Sequence, residues 1–170
     1  LSMAGDLGLG GAASDGEVED HMLTISNPEP RGGVFGGLHT ITTSAADAIS
    51  VAAADLDQDG DMDILSASSD DSEIDWYEND GSQSFTSHNI TTEAIGPRSI
   101  VVADVDGDGY LDVVSASYYD NKIAWYENDG VQNFTAHVIT TSASGPVCVT
   151  AADMDADGDV DVLSASSGDD

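Results

Sequence analysis

Between residues 98 and 139 the chain passes through four short apolar stretches, separated by clusters of Asp, Asn, Gly and Ser. The stretches are 98–103 (RSIVVA), 111–117 (LDVVSAS), 122–126 (KIAWY) and 134–139 (FTAHVI). Their residues are β-branched, aromatic or small rather than helical in period, so each reads as a β-strand. The punctuation agrees. Asn128-Asp129-Gly130 and Asn79-Asp80-Gly81 supply the residues that tolerate positive φ in a hairpin turn, which predicts antiparallel pairing of the third and fourth strands.

The same pattern returns every 49 residues. Asp55, Asp104 and Asp153 keep that interval, as do Trp76 and Trp125, Gly81 and Gly130, and His39, His88 and His137. Strand-built repeats of this size indicate a propeller or a related array. The expected fold is all-β, with β-propeller blades of four antiparallel strands, about 49 residues per repeat, in a partial ring of roughly three and a half units. Residues 50–98 and 99–147 are whole repeats, and 148–170 covers the first two strands of another. Residues 21–49 fit the third and fourth strands of a preceding blade with its connector, placing Ile25 over Ile74 and His39 over His88. Residues 1–20 read as a leader or the degenerate start of a repeat, with Gly10 where an acid would stand. Such an arc leaves strand edges open, so the remaining blades, or another chain, are expected to complete the propeller. Ser-Ala-Ser in every second strand suits a crowded boundary between sheets, and Trp76 and Trp125 are expected to pack between blades.

The strand 1–2 connections carry the chemistry. They read DLDQDGDMD (55–63), DVDGDGYLD (104–112) and DMDADGDVD (153–161), with acids at positions 1, 3, 5 and 9 around a glycine at 6. Hard oxygens converging from one tight loop suit a calcium ion, and the glycine permits the sharp turn. The ligand set is Asp55, Asp57, Asp59, Asp61 and Asp63; Asp104, Asp106, Asp108, Tyr110 and Asp112; and Asp153, Asp155, Asp157, Asp159 and Asp161. Position 7 (Asp61, Tyr110, Asp159) varies because a backbone carbonyl serves there. An EF-hand shares the first six positions but needs a Glu at 12 between two helices; here Ser66, Ser115 and Ser164 stand at 12, between strands. About three calcium ions are expected, the alternative being Asp-rich turns that hold no metal.

Charge sharpens this reading. Three Lys and Arg residues face 33 acids, for a net charge of −30. Such a field repels nucleic acid and anionic membranes and makes the compact state depend on cations. Adaptation to a salty medium would give the same balance. No apolar run is long enough to insert into a membrane. Cys148, the single cysteine, falls in a strand-like run where a small buried thiol is the default.

The DxDxDG loop, the strand that follows it, the WYENDG turn and the Gly-Pro entries (Gly96-Pro97, Gly145-Pro146) together resemble the FG-GAP/VCBS repeat family, which includes the calcium-bearing blades of integrin α-subunits. The resemblance implies a β-propeller whose acidic loops bind calcium. In an up-and-down blade the loops 1–2 and 3–4 share one face, and the loops 2–3 and 4–1 the other. In integrin-like propellers that second face meets ligands. It carries Tyr118, Tyr119 and Arg98, which are therefore candidate contacts for a protein or glycan partner, the alternative being that the tyrosines merely cover the blade.

Other chemistry is thin. No nucleophile motif or phosphate loop appears, and the periodic histidines lack ligand spacing. Asn89 and Asn133 begin glycosylation sequons. The expected function is a non-catalytic, calcium-binding module acting outside the cytosol in adhesion, assembly or scaffolding. A lectin-like propeller, or the non-catalytic part of a secreted polysaccharide-active enzyme, is the alternative.

Overall fold

The structure, a computed structural model, describes residues 38–168. The described residues hold ten strands and no helix, all within the compact unit Ile41–Asp170. The first sheet orders β1 (Ala48–Ala54), β2 (Asp63–Ser68), β3 (Glu73–Asn79) and β4 (Phe85–Thr91) side by side. The second repeats it with β5 (Pro97–Ala103), β6 (Asp112–Ser117), β7 (Lys122–Asn128) and β8 (Phe134–Thr140). A two-stranded sheet follows, β9 (Pro146–Ala152) with β10 (Asp161–Ser166). All pairings are antiparallel between chain neighbours. These are propeller-like blades, and among the described residues they form an open series rather than a closed ring.

The residues explain the stacking. Alternate side chains of one strand point to opposite faces, so each central strand supplies two cores. Leu65, Ala67, Ile74 and Trp76 of the first sheet meet Ile100, Val113, Ala124 and Tyr126 of the second. On the other face of the second sheet, Val114, Ala116 and Ile123 pack with Val149 of β9. All residues of β2 and β6 are buried, including the Ser-Ala-Ser run, and β6 supplies both cores. Small side chains there let neighbouring sheets approach. Fully burying a side chain such as Leu65 or Ile74 contributes about 1.5–3 kcal/mol relative to leaving it in water.

Hydrogen bonds tie one sheet to the next at the same interval. Ser50 Oγ accepts from Ile100 N (3.2 Å), and Ser99 Oγ accepts from Val149 N (3.1 Å). Cys148 occupies the corresponding place in β9 and is exposed, not the buried thiol that the sequence suggests. Its serine counterparts face a following sheet, and none follows β9 among the described residues.

The tryptophans take up the expected position between sheets, unequally. Trp76 is buried against the second sheet, while Trp125, facing the two-stranded sheet, is half-buried. Each stacks on the cross-strand histidine, with 4.6 Å between ring centroids for both Trp76–His88 and Trp125–His137. His88 Nε2 and His137 Nε2 in turn meet Glu78 (2.7 Å) and Glu127 (2.6 Å), so these histidines serve strand packing.

The start at 1–20 and most of the half-blade at 21–43 lie outside the described residues. Of that half-blade, residues 39–42 were expected in a fourth strand and carry none. An extended segment becomes a strand only through a ladder with a neighbour, and none of the ten strands pairs with it. No helix of the described residues is long and apolar enough to cross a membrane.

Candidate metal centres

Each acidic loop joins the first and second strands of its sheet, and its shape is set by side chains that hydrogen-bond their own backbone. In residues 104–112, Asp104 Oδ2 accepts from Gly109 N (3.0 Å), Asp106 Oδ1 from Asp108 N (3.2 Å) and Asp108 Oδ1 from Tyr110 N (2.8 Å). The other two loops repeat this ladder, from Asp55, Asp57 and Asp59 and from Asp153, Asp155 and Asp157. Aspartate favours such turns because its short carboxylate reaches N–H groups two residues on. Position 6 has φ of 99°, 96° and 100° at Gly60, Gly109 and Gly158. Position 4 is also left-handed, at Gln58, Gly107 and Ala156. That requirement escapes the sequence because only one copy marks it with glycine.

These turns gather carboxylates. Oxygens of Asp55, Asp57 and Asp63 lie within 4.8 Å of one another, as do those of Asp104, Asp106 and Asp108, and those of Asp153, Asp155 and Asp161. Asp59 and Asp157 stand outside these triads, and Asp112 outside the second. Position 7 points elsewhere. The Asp61 carboxylate lies over Gly81 and the Tyr110 ring over Gly130, so closely that a Cβ on either glycine would overlap it. The glycine of the 3–4 turn thus makes room for the position-7 side chain, which does not join the cluster.

Position 9 holds the site to the rest of the blade. Asp63 Oδ2 accepts from Leu56 N (3.0 Å) and Oδ1 from Asn79 N (2.8 Å); Asp112 does the same with Val105 N (2.9 Å) and Asn128 N (2.8 Å). Both carboxylates are fully buried. The Asn of the ENDG turn is therefore a site residue that the motif alone does not name, although its constant offset from position 9 in both repeats was there to be read. Asn128 reaches further, its Nδ2 donating to Leu56 O of the preceding loop (3.1 Å). Gln58 Nε2 likewise donates to Gly109 O (2.6 Å), so successive loops touch.

The electrostatics are those of an acid cluster without a protein cation. Burial, before the nearby carboxylates, pushes Asp57, Asp63 and Asp112 up from the ordinary carboxylate value, against the lowering effect of backbone N–H groups. Among the described residues the ion pairs are His88–Glu78, Lys122–Asp120 and His137–Glu127, none of them at an acidic strand 1–2 loop. Asp55 Oδ1 is buried and has no hydrogen-bond partner. A donor set of carboxylate oxygens alone suits a hard divalent cation rather than zinc or copper. The residues present fit such an ion.

The remaining candidates fall elsewhere. Arg98, Tyr118 and Tyr119 come together at the start of β5 and the 2–3 loop. Asn89 and Asn133 are exposed, their amides donating to Asp75 (2.8 Å) and Asp129 (2.8 Å).

Fold and loops together define a repeat protein of propeller-like blades, each opened by an Asp-rich strand 1–2 loop that can hold a metal. The FG-GAP-like repeat matches residues 55–115 and again 104–164, running each time from position 1 of one loop to position 12 of the next and together spanning more than half of the chain. The chain belongs to the FG-GAP-like repeat family. No curated protein matches it.

Proposed function

We propose that the chain is a non-catalytic, calcium-binding β-propeller module that works outside the cytosol as an adhesion, assembly or scaffold element. The observation that carries this reading is the convergence of three carboxylates, their oxygens within 4.8 Å of one another, in each of the three loops, with Asp55 Oδ1 buried and unpartnered and, among the described residues, no basic side chain paired to any of them. An uncompensated buried carboxylate is costly, and a divalent cation offsets that cost. Calcium, when bound, supplies two positive charges and coordination sites for several oxygens at once. Asp55, Asp57 and Asp63, Asp104, Asp106 and Asp108, and Asp153, Asp155 and Asp161 would hold it. Asp59, Asp112 and Asp157 stand next to these sets, and the position-7 backbone completes the expected donors. About three ions are expected, and their role is structural, since each loop fixes the hairpin that builds its sheet.

The location follows from the kind of site. Largely exposed single-loop sites suit the calcium levels of extracellular modules, about 10⁻⁴–10⁻³ M. The partner expected is further blades, or a neighbouring chain, packed on β10, whose outer edge is unpaired among the described residues. Glycans on Asn89 and Asn133 would be compatible with that setting.

The test is thermal melting of the whole chain with calcium, with magnesium and with excess chelator, beside a calorimetric calcium titration. We expect a melting temperature many degrees higher in calcium, a smaller rise in magnesium because it demands tighter octahedral geometry, and a stoichiometry near three. Coincident melting curves in calcium and chelator would sink the proposal.

A further inference from the structure

We infer that Arg98, Tyr118 and Tyr119 form a binding site for the carboxylate of an acidic sugar within an otherwise uncharged glycan. This deepens the reading of the chain as a non-catalytic adhesion module by naming a ligand class for the face away from the acidic loops.

The three residues are peculiar to one repeat. At the corresponding places the first repeat has Ile49, Ser69 and Asp70, and the third has Val147, Ser167 and Gly168. The three that differ in the middle repeat also touch. The Arg98 guanidinium carbon lies 5.2 Å from the Tyr118 ring centroid and 6.0 Å from that of Tyr119, and the two rings meet edge-on at 5.3 Å. The backbone holds them there, Tyr118 N donating to Gly96 O (2.9 Å) and Tyr119 N to Ile95 O (3.1 Å). Both rings sit over glycines. A Cβ at Gly96 would overlap the Tyr119 ring, and one at Gly145 would come 2.9 Å from Tyr118 Cε2.

Arg98 is charged and unanswered. Lys122, the other basic residue among those described, pairs with Asp120 (3.0 Å) and donates to Glu93 O (2.6 Å). Among the described residues Arg98 makes no ion pair or hydrogen bond, and its Nε is buried without a partner there. In a protein of net charge −30 that is an unusual state for a cation. A guanidinium offers five N–H donors in a planar fork that matches a carboxylate, and aromatic faces hold it in place without consuming those donors. Its free donors therefore define an oxyanion site.

The surroundings favour a sugar. Tyr119 is 63% exposed, an open flat face on which a pyranose ring can stack. Neither phenol hydroxyl is hydrogen-bonded among the described residues, so both can meet sugar hydroxyls. A peptide docked through its main chain needs open backbone groups, and the N–H groups of Tyr118 and Tyr119 are already used. The net charge repels a polyanion, which restricts the ligand to isolated carboxylates.

The experiment is calorimetric titration of the calcium-loaded chain with a glucuronic acid-terminated disaccharide, and with its glucose-terminated counterpart. We expect the uronate to bind at least tenfold more tightly. Arg98→Gln should remove that advantage, and Arg98→Lys should restore part of it. Tyr119→Ser should weaken binding of both sugars. Calcium-loaded melting curves check that each variant folds, and the sugar pair needs no variant at all. Equal binding of the two sugars, binding of neither, or a neutral tripeptide with a free carboxyl terminus outcompeting the uronate would each overturn the inference. Uronate binding without calcium stabilisation would leave it standing and overturn the calcium reading instead; the reverse outcome separates them the other way.

Discussion

Strands β6 and β10 read DVVSAS and DVLSAS, a difference of one methylene, yet every residue of β6 is buried and none of β10 is. The cause lies in what surrounds them. β6 runs between β5 and β7 and feeds two cores, whereas β10 pairs with β9 alone. The same contrast reaches the metal loops. Asp112 takes N–H groups from Val105 and Asn128, while its counterpart Asp161 takes one, from Met154 (2.9 Å). The repeat thus encodes a strand, a turn and a ladder of Asp turns, and the neighbouring sheet converts them into a core and a closed site. This is the division of stability expected when each unit contacts chiefly its neighbours.

The largest effect should come from one substitution made in both settings. Leu65 and Leu163 occupy the same place two repeats apart, at 0% and 37% exposure. Leu65→Ala leaves a cavity between two sheets and should cost about 2–5 kcal/mol. Leu163→Ala should cost less than about 1 kcal/mol, as for a surface change. Urea unfolding in calcium measures both. Equal losses would break the comparison, because they would mean that something covers β10 in solution.

That contrast marks what could be read from the sequence. The four-strand repeat and the acidic loops were legible because they rest on local signals: β-branched runs, the NDG turns and a fixed spacing of Asp around glycine. The strand limits came within two residues of those observed. Relations between sheets were not legible. Nothing in the spacing says that Asn128 reaches Leu56, that Ser50 binds the backbone of β5, or that Tyr110 lies over Gly130, since each depends on how neighbouring strands meet. Cys148 shows the same limit, its strand assigned and its burial missed.

Asn128 and Asn79 test the bond between sheets more gently. Asn128 is buried, and its Nδ2 donates to Leu111 O (3.2 Å) as well as to Leu56 O across the boundary. Asn79 is half-buried at the equivalent place, and its Nδ2 donates only to Met62 O (3.1 Å) in its own sheet. Asn128→Ala should therefore cost about 1–3 kcal/mol by leaving buried carbonyls unmet, and Asn79→Ala about 1 kcal/mol. Equal costs in calcium-loaded melts would show that the bond to Leu56 adds nothing.

The smallest effect is a dependence on pH, and its sign depends on calcium. In calcium-stripped protein, burial holds Asp57, Asp63 and Asp112 above the ordinary value of 3.8, so the folded chain binds protons more readily than the unfolded one. Stability then rises as pH falls from neutral through those raised values, a gain complete near 3.8. The exposed turn residues Asp80 and Asp129 act oppositely and lower down. Hydrogen bonds, chiefly from the Ser82 hydroxyl and the Asn133 amide, hold them below 3.8, so their contribution is lost only as pH falls past that value. As the pH falls from neutral toward 3.8 the buried group should govern, and the stripped protein should melt at a higher temperature as the solution is acidified. With calcium in modest excess the slope reverses, because protons compete for the same oxygens. Stripped protein that loses stability over that interval would mean that the loop carboxylates are not shielded as they are in the two four-stranded sheets.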